Sequence, residues 1–285
     1  MNQQTKGIIY IIICGLLWST GGLFIKMISW NSLVIASLRS LIAAIILYID
    51  MAFVMKTPKI IINRQTLANG FFLGSTMVLF VIANKLTTAA NAIVLQSVST
   101  ILVIIYSAII LKKKLPLYEK VVVAVGLFGT VMFFFDQLTY NGMLGNIISL
   151  ISAFTFAGVF ITASRAKDKQ TSNSGLILGQ LCAFIVGFPF IFIYPPEFEL
   201  TSMMAITFLG VFQLGVAYSL FGRGTRLCPP VKSAIGAMIE PVCSPVWVAV
   251  FANEIPGPMA LVGGVLVISA LTVWGVLNAK ETTKQ

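Results

Sequence analysis

Glu240 is a carboxylate inside an apolar stretch, Lys232–Phe251 (KSAIGAMIEPVCSPVWVAVF), followed at once by Pro241 and then by Pro245. The stretch is long enough to cross a bilayer. A charge at mid-membrane is unfavourable by about 3 kcal/mol on insertion scales, and by more in simulations. Each proline removes a backbone donor and frees the carbonyl one turn earlier. In lipid that carbonyl needs another partner. A helix holds both features only where it faces packed protein or a water-filled cavity. This segment is therefore expected to line a pathway, kinked at Pro241 and Pro245. Two roles are open to Glu240. It can bind a cation, an amine or a coupling proton, or it can be a structural carboxylate held by an arginine or by backbone groups through water.

Arg39 lies about seven residues into another apolar run. It can grip a substrate carboxylate bidentately, pin two helices together, or snorkel to the outer surface. Lys26 ends its run and reads as an interface anchor. Trp18 and Ser19 interrupt an aliphatic face just before Gly21 and Gly22. A tryptophan at mid-span is away from the interfacial belt it usually occupies, so it either stacks on a flat substrate or packs in the core. Asn91, Gln96, Phe156, Gln213 and Tyr218 are polar or aromatic side chains in helices expected to face the cavity. Each alone can equally be glue between helices. Nothing points to catalysis. There is no histidine, which removes the commonest catalytic base and metal ligand. No phosphate-binding glycine loop with GK[ST] is present. Cys14, Cys182, Cys228 and Cys243 lack metal-ligand spacing and read as small core residues. The chain is expected to be no enzyme and to hold no cofactor and no metal.

The elements that carry these residues are membrane helices. The composition is 58% hydrophobic and 10% charged, with mean hydropathy +0.97, where a soluble globule carries about a quarter charged residues. The net charge of +10 does not indicate nucleic acid, because the basic residues sit in short loops between apolar runs. Ten runs are long enough, or nearly so, to span: Gly7–Lys26, Leu33–Val54, Thr66–Asn84, Asn91–Leu111, Tyr118–Phe135, Met143–Ser164, Ser174–Tyr194, Met203–Gly222, Ser233–Phe251 and Gly257–Leu277. The first is too long for a signal-peptide core, and no A-x-A cleavage site follows it.

Loop charge supports that count. With the N-terminus inside, the inner segments hold Lys6; Lys56, Lys59 and Arg64; Lys112, Lys113, Lys114 and Lys120; Arg165, Lys167 and Lys169; Arg223, Arg226 and Lys232; and Lys280 and Lys284. Only Lys26, Arg39 and Lys85 of the 19 basic residues fall elsewhere. Asp136, Glu197, Glu199 and Glu254 fall in outer loops. This is the positive-inside pattern with both termini cytoplasmic; nine or eleven spans would scramble it.

The chain also repeats. A shift of 141 residues carries Leu73, Gly74, Leu79, Phe80 and Leu86 onto Leu214, Gly215, Leu220, Phe221 and Leu227, and Lys85 onto Arg226. The repeat unit is five helices. Five is odd, so the second unit enters the membrane upside down. The fold expected is all-α and integral to the membrane, with ten transmembrane helices in two inverted five-helix repeats, residues 1–137 and 138–285. Inverted repeats permit two mirror-related states around a central site. Gly70/Gly74 and Gly175/Gly179 are spaced for close helix approach, expected within the bundle rather than across a dimer.

These residues resemble the EamA-type branch of the drug/metabolite transporter superfamily. The first span, GLLWSTGGLFIK from Gly15 to Lys26, is similar to that family's first helix, and Arg39 stands where its second helix often has an arginine. The second half restarts with GNIISLISAFTFAGVFITASR, Gly145 to Arg165, placing Phe156 about where the first half has Trp18. Pro241, Glu254 and Gly263 match the family's P-x12-E-x8-G ending. At the corresponding places the first half has Thr100 and Lys113 instead of the proline and the glutamate. The resemblance covers essentially the whole chain. It implies a central cavity lined by helices 1–4 and 6–9, with helices 5 and 10 peripheral. It also implies secondary transport of a small organic metabolite by alternating access, with amino acids or related compounds leading and export favoured. A passive channel or facilitator and drug efflux are the alternatives. The partners expected are a small-molecule substrate and the lipid bilayer, with no nucleic acid, in a monomer or homodimer. The location expected is the plasma membrane.

Overall fold

The computed structural model describes residues 2–109, 112, 116–133, 142–252 and 258–283. Among them there are helices and connections but no strand. The helices are α1 (Gln3–Trp18), α2 (Gly21–Met27), α3 (Ser32–Ile49), α4 (Arg64–Leu86), α5 (Ala89–Ser97), α6 (Ser99–Ile109), α7 (Leu117–Phe133), α8 (Met143–Ser164), α9 (Lys169–Ile193), α10 (Leu200–Phe208), α11 (Ala217–Leu227), α12 (Pro230–Ala237), α13 (Ile239–Ala252) and α14 (Pro258–Thr283). A π-helical turn, Asp50–Val54, extends α3, and a second π-helical stretch, Leu209–Val216, joins α10 to α11. Among the described residues, seven rods can by length and composition cross a membrane: Gln3–Met27, Ser32–Val54, Arg64–Leu86, Ala92–Ile109, Met143–Ser164, Lys169–Ile193 and Leu200–Leu227. The described apolar stretches of the remaining helices are shorter, Val262–Trp274 within α14 among them.

Three segments expected as single helices are each two. At the end of α1 the Ser19 and Thr20 hydroxyls donate to the Leu16 and Leu17 carbonyls at 2.6 and 2.7 Å. Such local bonds compete with the backbone ladder. The second and third breaks fall at Val98 and Met238, where each amide reaches back three residues, to Leu95 and Ile235, instead of four. Helix ends repeat with the 141-residue shift: Leu86 and Leu227 end α4 and α11, Ala89 and Pro230 start α5 and α12, and Leu117 and Pro258 start α7 and α14.

Contacts between connections sort the ends of the rods into two groups. At one end Cys228 Sγ donates to the Gln4 carbonyl, Gln170 Nε2 to the Lys59 carbonyl and the Ile61 amide to Ser174 Oγ. Lys56, Lys59, Arg64 and Lys169 belong to this basic end. At the other end Lys26 Nζ donates to the Thr87 carbonyl at 2.9 Å, Lys85 Nζ to the Ile28 carbonyl, and Trp30 Nε1 to the Glu197 carbonyl. The two lysines are thus ties between loops as well as charges. Leu86 and its counterpart Leu227 lie at opposite ends: Leu86 beside Gly142 and Gly145, Leu227 beside Gly7. Gly142 takes φ +82°, and a Cβ there would stand 2.4 Å from the Leu86 carbonyl, so only glycine fits this entry to α8.

α4 packs between α8 and α9, with α3 also against α9. The two glycine pairs meet face to face. A Cβ on Gly179 would stand 2.6 Å from Leu73, and one on Gly74 would stand 2.8 Å from Cys182. Close helix approach therefore serves the bundle itself. α7 and α14 pack mainly on each other, at the margin.

Candidate functional site

The residues singled out in the sequence converge at the centre of the bundle. One small cavity, about 20 Å³, is lined by Trp18 of α1, Arg39 of α3, Thr76, Met77 and Phe80 of α4, Gln96 of α5, Phe156 of α8, Gln213 and Leu214 of the π-helical stretch, Tyr218 of α11 and Glu240 of α13. Seven of the expected pathway residues thus share one space. A second cavity, also about 20 Å³, adjoins it and is lined at the two helix breaks by Gln96, Ser97, Ser99 and Thr100 and by Ala237, Met238, Glu240 and Pro241. Gln96, Phe156 and Glu240 line both. A cavity of this size holds about one water, so an organic solute enters only when the walls part.

α9 lines neither cavity, contrary to the lining expected for the seventh helix. It lies behind α3 and α4, where its small residues Gly175, Gly179 and Gly187 let it approach too closely to leave space. Ser19 also stands outside both linings. Its Oγ accepts from Trp247 Nε1 at 2.8 Å, stapling α13 to the α1–α2 break. The side chains of Asn91 and Pro245, and all of Glu254, lie outside the described residues. Pro241 is buried at the start of α13.

Arg39 is fully buried, 0% exposed. Its Nη2 donates to the Met77 carbonyl at 3.0 Å, while Nε and Nη1 have no protein acceptor. A buried donor left unpaired is unfavourable by about 1–3 kcal/mol, more when charged. The guanidinium therefore calls for an anion or water on its free N–H groups. Glu240 is half-buried and, among the described residues, neither accepts a hydrogen bond nor joins an ion pair. One cavity thus has on its walls a guanidinium with two nitrogens lacking a protein acceptor and a carboxyl group without a hydrogen bond among the described residues.

The same cavity has an aromatic wall. Trp18 lies 5.4 Å from Phe156, 5.1 Å from Tyr218 and 5.4 Å from Phe221, ring centre to ring centre. Trp18 and Phe156, placed at similar points of the two halves by sequence, touch each other edge to face, a favoured geometry. Trp18 is both a core residue and a cavity wall, and its Nε1 has no acceptor. Gln213 reaches the cavity because the π-helical stretch turns it there. A Cβ on Gly21 would meet its Nε2 at 2.8 Å, and its Oε1 is unpartnered. π-Helical bulges recur at functional sites. Gly210 and Gly215 let this one press on Ile42 and Ile46 of α3.

Sequence reasoning missed a second charged group at the basic end. Asp50 accepts from Arg223 Nη2 at 2.6 Å, from Ser219 Oγ at 2.8 Å and from Asn173 Nδ2 at 3.5 Å. Arg223 Nη1 also donates to Ser219 Oγ. The network joins the π-helical turn after α3 to α9 and α11. Asp50 stands at the last turn of a span, where a charge reads as an ordinary boundary. The available signal was an acid on the basic side of the chain.

An all-helical bundle with apolar rods, a repeat-related pair of broken helices and a charged central cavity is a membrane transporter of the two-repeat kind. The chain belongs to the EamA-like transporter family, whose sequence profile matches it twice, over residues 5–135 and 143–275. The family's members are transporters of the drug/metabolite type, not enzymes. One solved crystal structure superposes on 97% of this chain and 98% of its own length with TM-score 0.81 at 16% identity; at that identity the likeness is one of fold. No curated protein matches the chain.

Proposed function

We propose that this chain is a ten-span secondary transporter that exports amino acids or related zwitterions by alternating access. Its two inverted units are residues 1–137 and 138–285. It sits in the plasma membrane with both termini cytoplasmic, as a monomer or homodimer. The observation that carries this reading is the cavity that Arg39 and Glu240 share, with two Arg39 nitrogens lacking a protein acceptor. A zwitterion's carboxylate accepts from the Arg39 N–H groups that lack a protein acceptor, and its ammonium pairs with Glu240. Trp18, Phe156 and Tyr218 form the wall that an apolar side chain meets, and a cation near a tryptophan face gains about 0.5–2 kcal/mol. An anion-only or cation-only solute leaves one buried charge uncompensated, which disfavours it.

Purified protein in proteoliposomes, tested with labelled amino acids, decides the matter. The expected result is saturable flux with acceleration by unlabelled substrate on the opposite side. Linear, non-saturating flux instead identifies a channel. An absence of flux across the amino-acid set, with the protein folded, removes this substrate class. Reporter fusions after Lys169 and after Glu197 should read inside and outside; the same reading at both removes the topology.

A further inference from the structure

The cavity between the two helix breaks differs from the one that holds Arg39. At Val98 and at Met238 two helices stop and restart, and these points correspond within one residue under the 141-residue shift. The short helices α5 and α12 both end at this cavity, so the negative ends of two helix dipoles face it. Pro241 has no amide hydrogen, so the Ala237 carbonyl has no donor one turn on. Ser99 and Thr100 are 4% exposed each, yet neither hydroxyl makes a hydrogen bond among the described residues. The Gln96 amide nitrogen is occupied by Ser152 Oγ at 2.8 Å, which leaves its oxygen as the free atom. With the Glu240 carboxylate these groups make a donor set of oxygens alone.

We propose that this cavity is a monovalent cation site of the sodium class, held by Glu240, the Ser99 and Thr100 hydroxyls, the Gln96 amide oxygen and the Ala237 carbonyl. Hard cations take oxygen ligands, and a single carboxylate matches a single charge better than two. The volume of about 20 Å³ admits one desolvated ion or water. Unwound carbonyls and half-helix C-termini at mid-membrane are groups that coordinate coupling ions in transporters built of repeats. The N-termini of α6 and α13 also reach this point, so helix ends of both signs meet at the cavity.

Glu240 lines both cavities. A cation in one and a substrate ammonium in the other compete for the same carboxylate. Inward cation movement can thereby be exchanged for outward substrate movement. This coupling step, though not the cation site, rests on the substrate reading above.

The test is binding to purified protein without substrate, read with radioactive sodium and by thermal shift. Ionic strength is held constant with choline, and the pH is fixed. Sodium should bind saturably and raise the melting temperature, while choline should not. Glu240→Gln should weaken sodium binding at least about tenfold. Thr100→Val and Ser99→Ala, which remove one hydroxyl each, should weaken it by about threefold or more. Two hydroxyl variants keep the test decisive if one misfolds. Equal stabilisation by sodium and choline overturns the site, as does an unchanged sodium response in both folded hydroxyl variants. A response to pH alone, with none to sodium, also overturns it. Intact sodium binding in a protein that moves no amino acid removes the substrate reading and supports the cation site.

Discussion

At the basic end Asp50 accepts three hydrogen bonds, one of them from Arg223, and the pair stays in partial contact with solvent, with side chains 13% and 25% exposed. At the centre Arg39 has one carbonyl acceptor for its guanidinium, and Glu240 has no protein partner among the described residues. Both regions place an acid and an arginine inside one bundle, on some of the same helices. One region spends its charges on each other, and the other leaves them available. A mutually satisfied pair fixes neighbouring elements and leaves little for a ligand. An unsatisfied pair weakens the fold and gives a ligand of opposite charges something to complete. The difference separates a latch from a binding site, although the residue types are the same.

The comparison breaks first at Glu240. Glu240→Gln keeps shape and hydrogen bonding but removes the charge. Transport per folded molecule is expected to fall at least about tenfold, the equivalent of ~1.4 kcal/mol. Glu240→Ala should fall further, because it also removes the oxygen that the Gln variant keeps for a substrate or a cation. Flux measured against protein recovered in monodisperse form checks this. Unchanged specific flux in the Gln variant would return Glu240 to a structural role.

Arg39→Met makes the sharper contrast. It removes a buried charge that the protein satisfies only in part, and replacing buried charge by apolar volume is often neutral or stabilising. Transport of carboxylate-bearing substrates is therefore expected to fall about tenfold or more while the melting temperature holds or rises. A large loss of thermal stability would show that Arg39 pins helices and is not held for a ligand.

Asp50→Asn should behave oppositely. Breaking a buried ion pair is unfavourable by about 3–5 kcal/mol, and partial exposure brings that down to about 1–3 kcal/mol. The melting temperature should fall, and Arg223→Leu in the same chain should recover part of the loss. Flux per folded molecule should change less than in Glu240→Gln. If Asp50→Asn leaves stability intact and abolishes flux, the basic end is part of the pathway and the distinction fails.

How far this contrast was legible in the sequence depends on what each residue needs in order to be read. Arg39 and Glu240 stand out because a charge in an apolar run contradicts its surroundings. Pro241 announces its own backbone defect. The 141-residue shift gave the symmetry, and it placed Thr100 opposite Pro241, so the break near Val98 could be expected once that near Met238 was seen. The π-helical stretch at Leu209–Val216 left no such mark. It arises where Gly210 and Gly215 meet Ile42 and Ile46 of a helix far away in sequence, and its counterpart in α4 is regular. The Asp50 network was hidden for the same reason. Its members come from three helices, and each is ordinary in its own stretch. Pairing is a property of tertiary contact, whereas an unsatisfied charge in lipid is visible from one segment alone.

Asp168 offers the smallest and most local test of what satisfaction of a charge does. It stands just before α9 at the basic end. Its Oδ1 accepts the Thr171 amide at 2.7 Å and its Oδ2 the Thr171 hydroxyl at 2.8 Å. This is a helix N-cap, and its removal is unfavourable by about 0.5–2 kcal/mol, with an exposed site near the low end. The backbone bond from Thr171, above all, holds the Asp168 carboxyl below the usual carboxylate range, helped by the Thr171 hydroxyl and the nearby Arg226. The folded state therefore binds the proton more weakly than the unfolded state. Stability from this group is present above the ordinary carboxylate pKa and is lost as pH falls through the lower folded value. Asp168→Ala should lower the melting temperature at neutral pH, and the gap to wild type should narrow under acid. Asp168→Asn keeps the acceptor but not the charge, so it should lose less and show no such narrowing. A gap for Asp168→Ala that stays constant down to acid pH would show that the cap works through its geometry alone. The charge at this end would then serve orientation in the membrane more than the helix beside it.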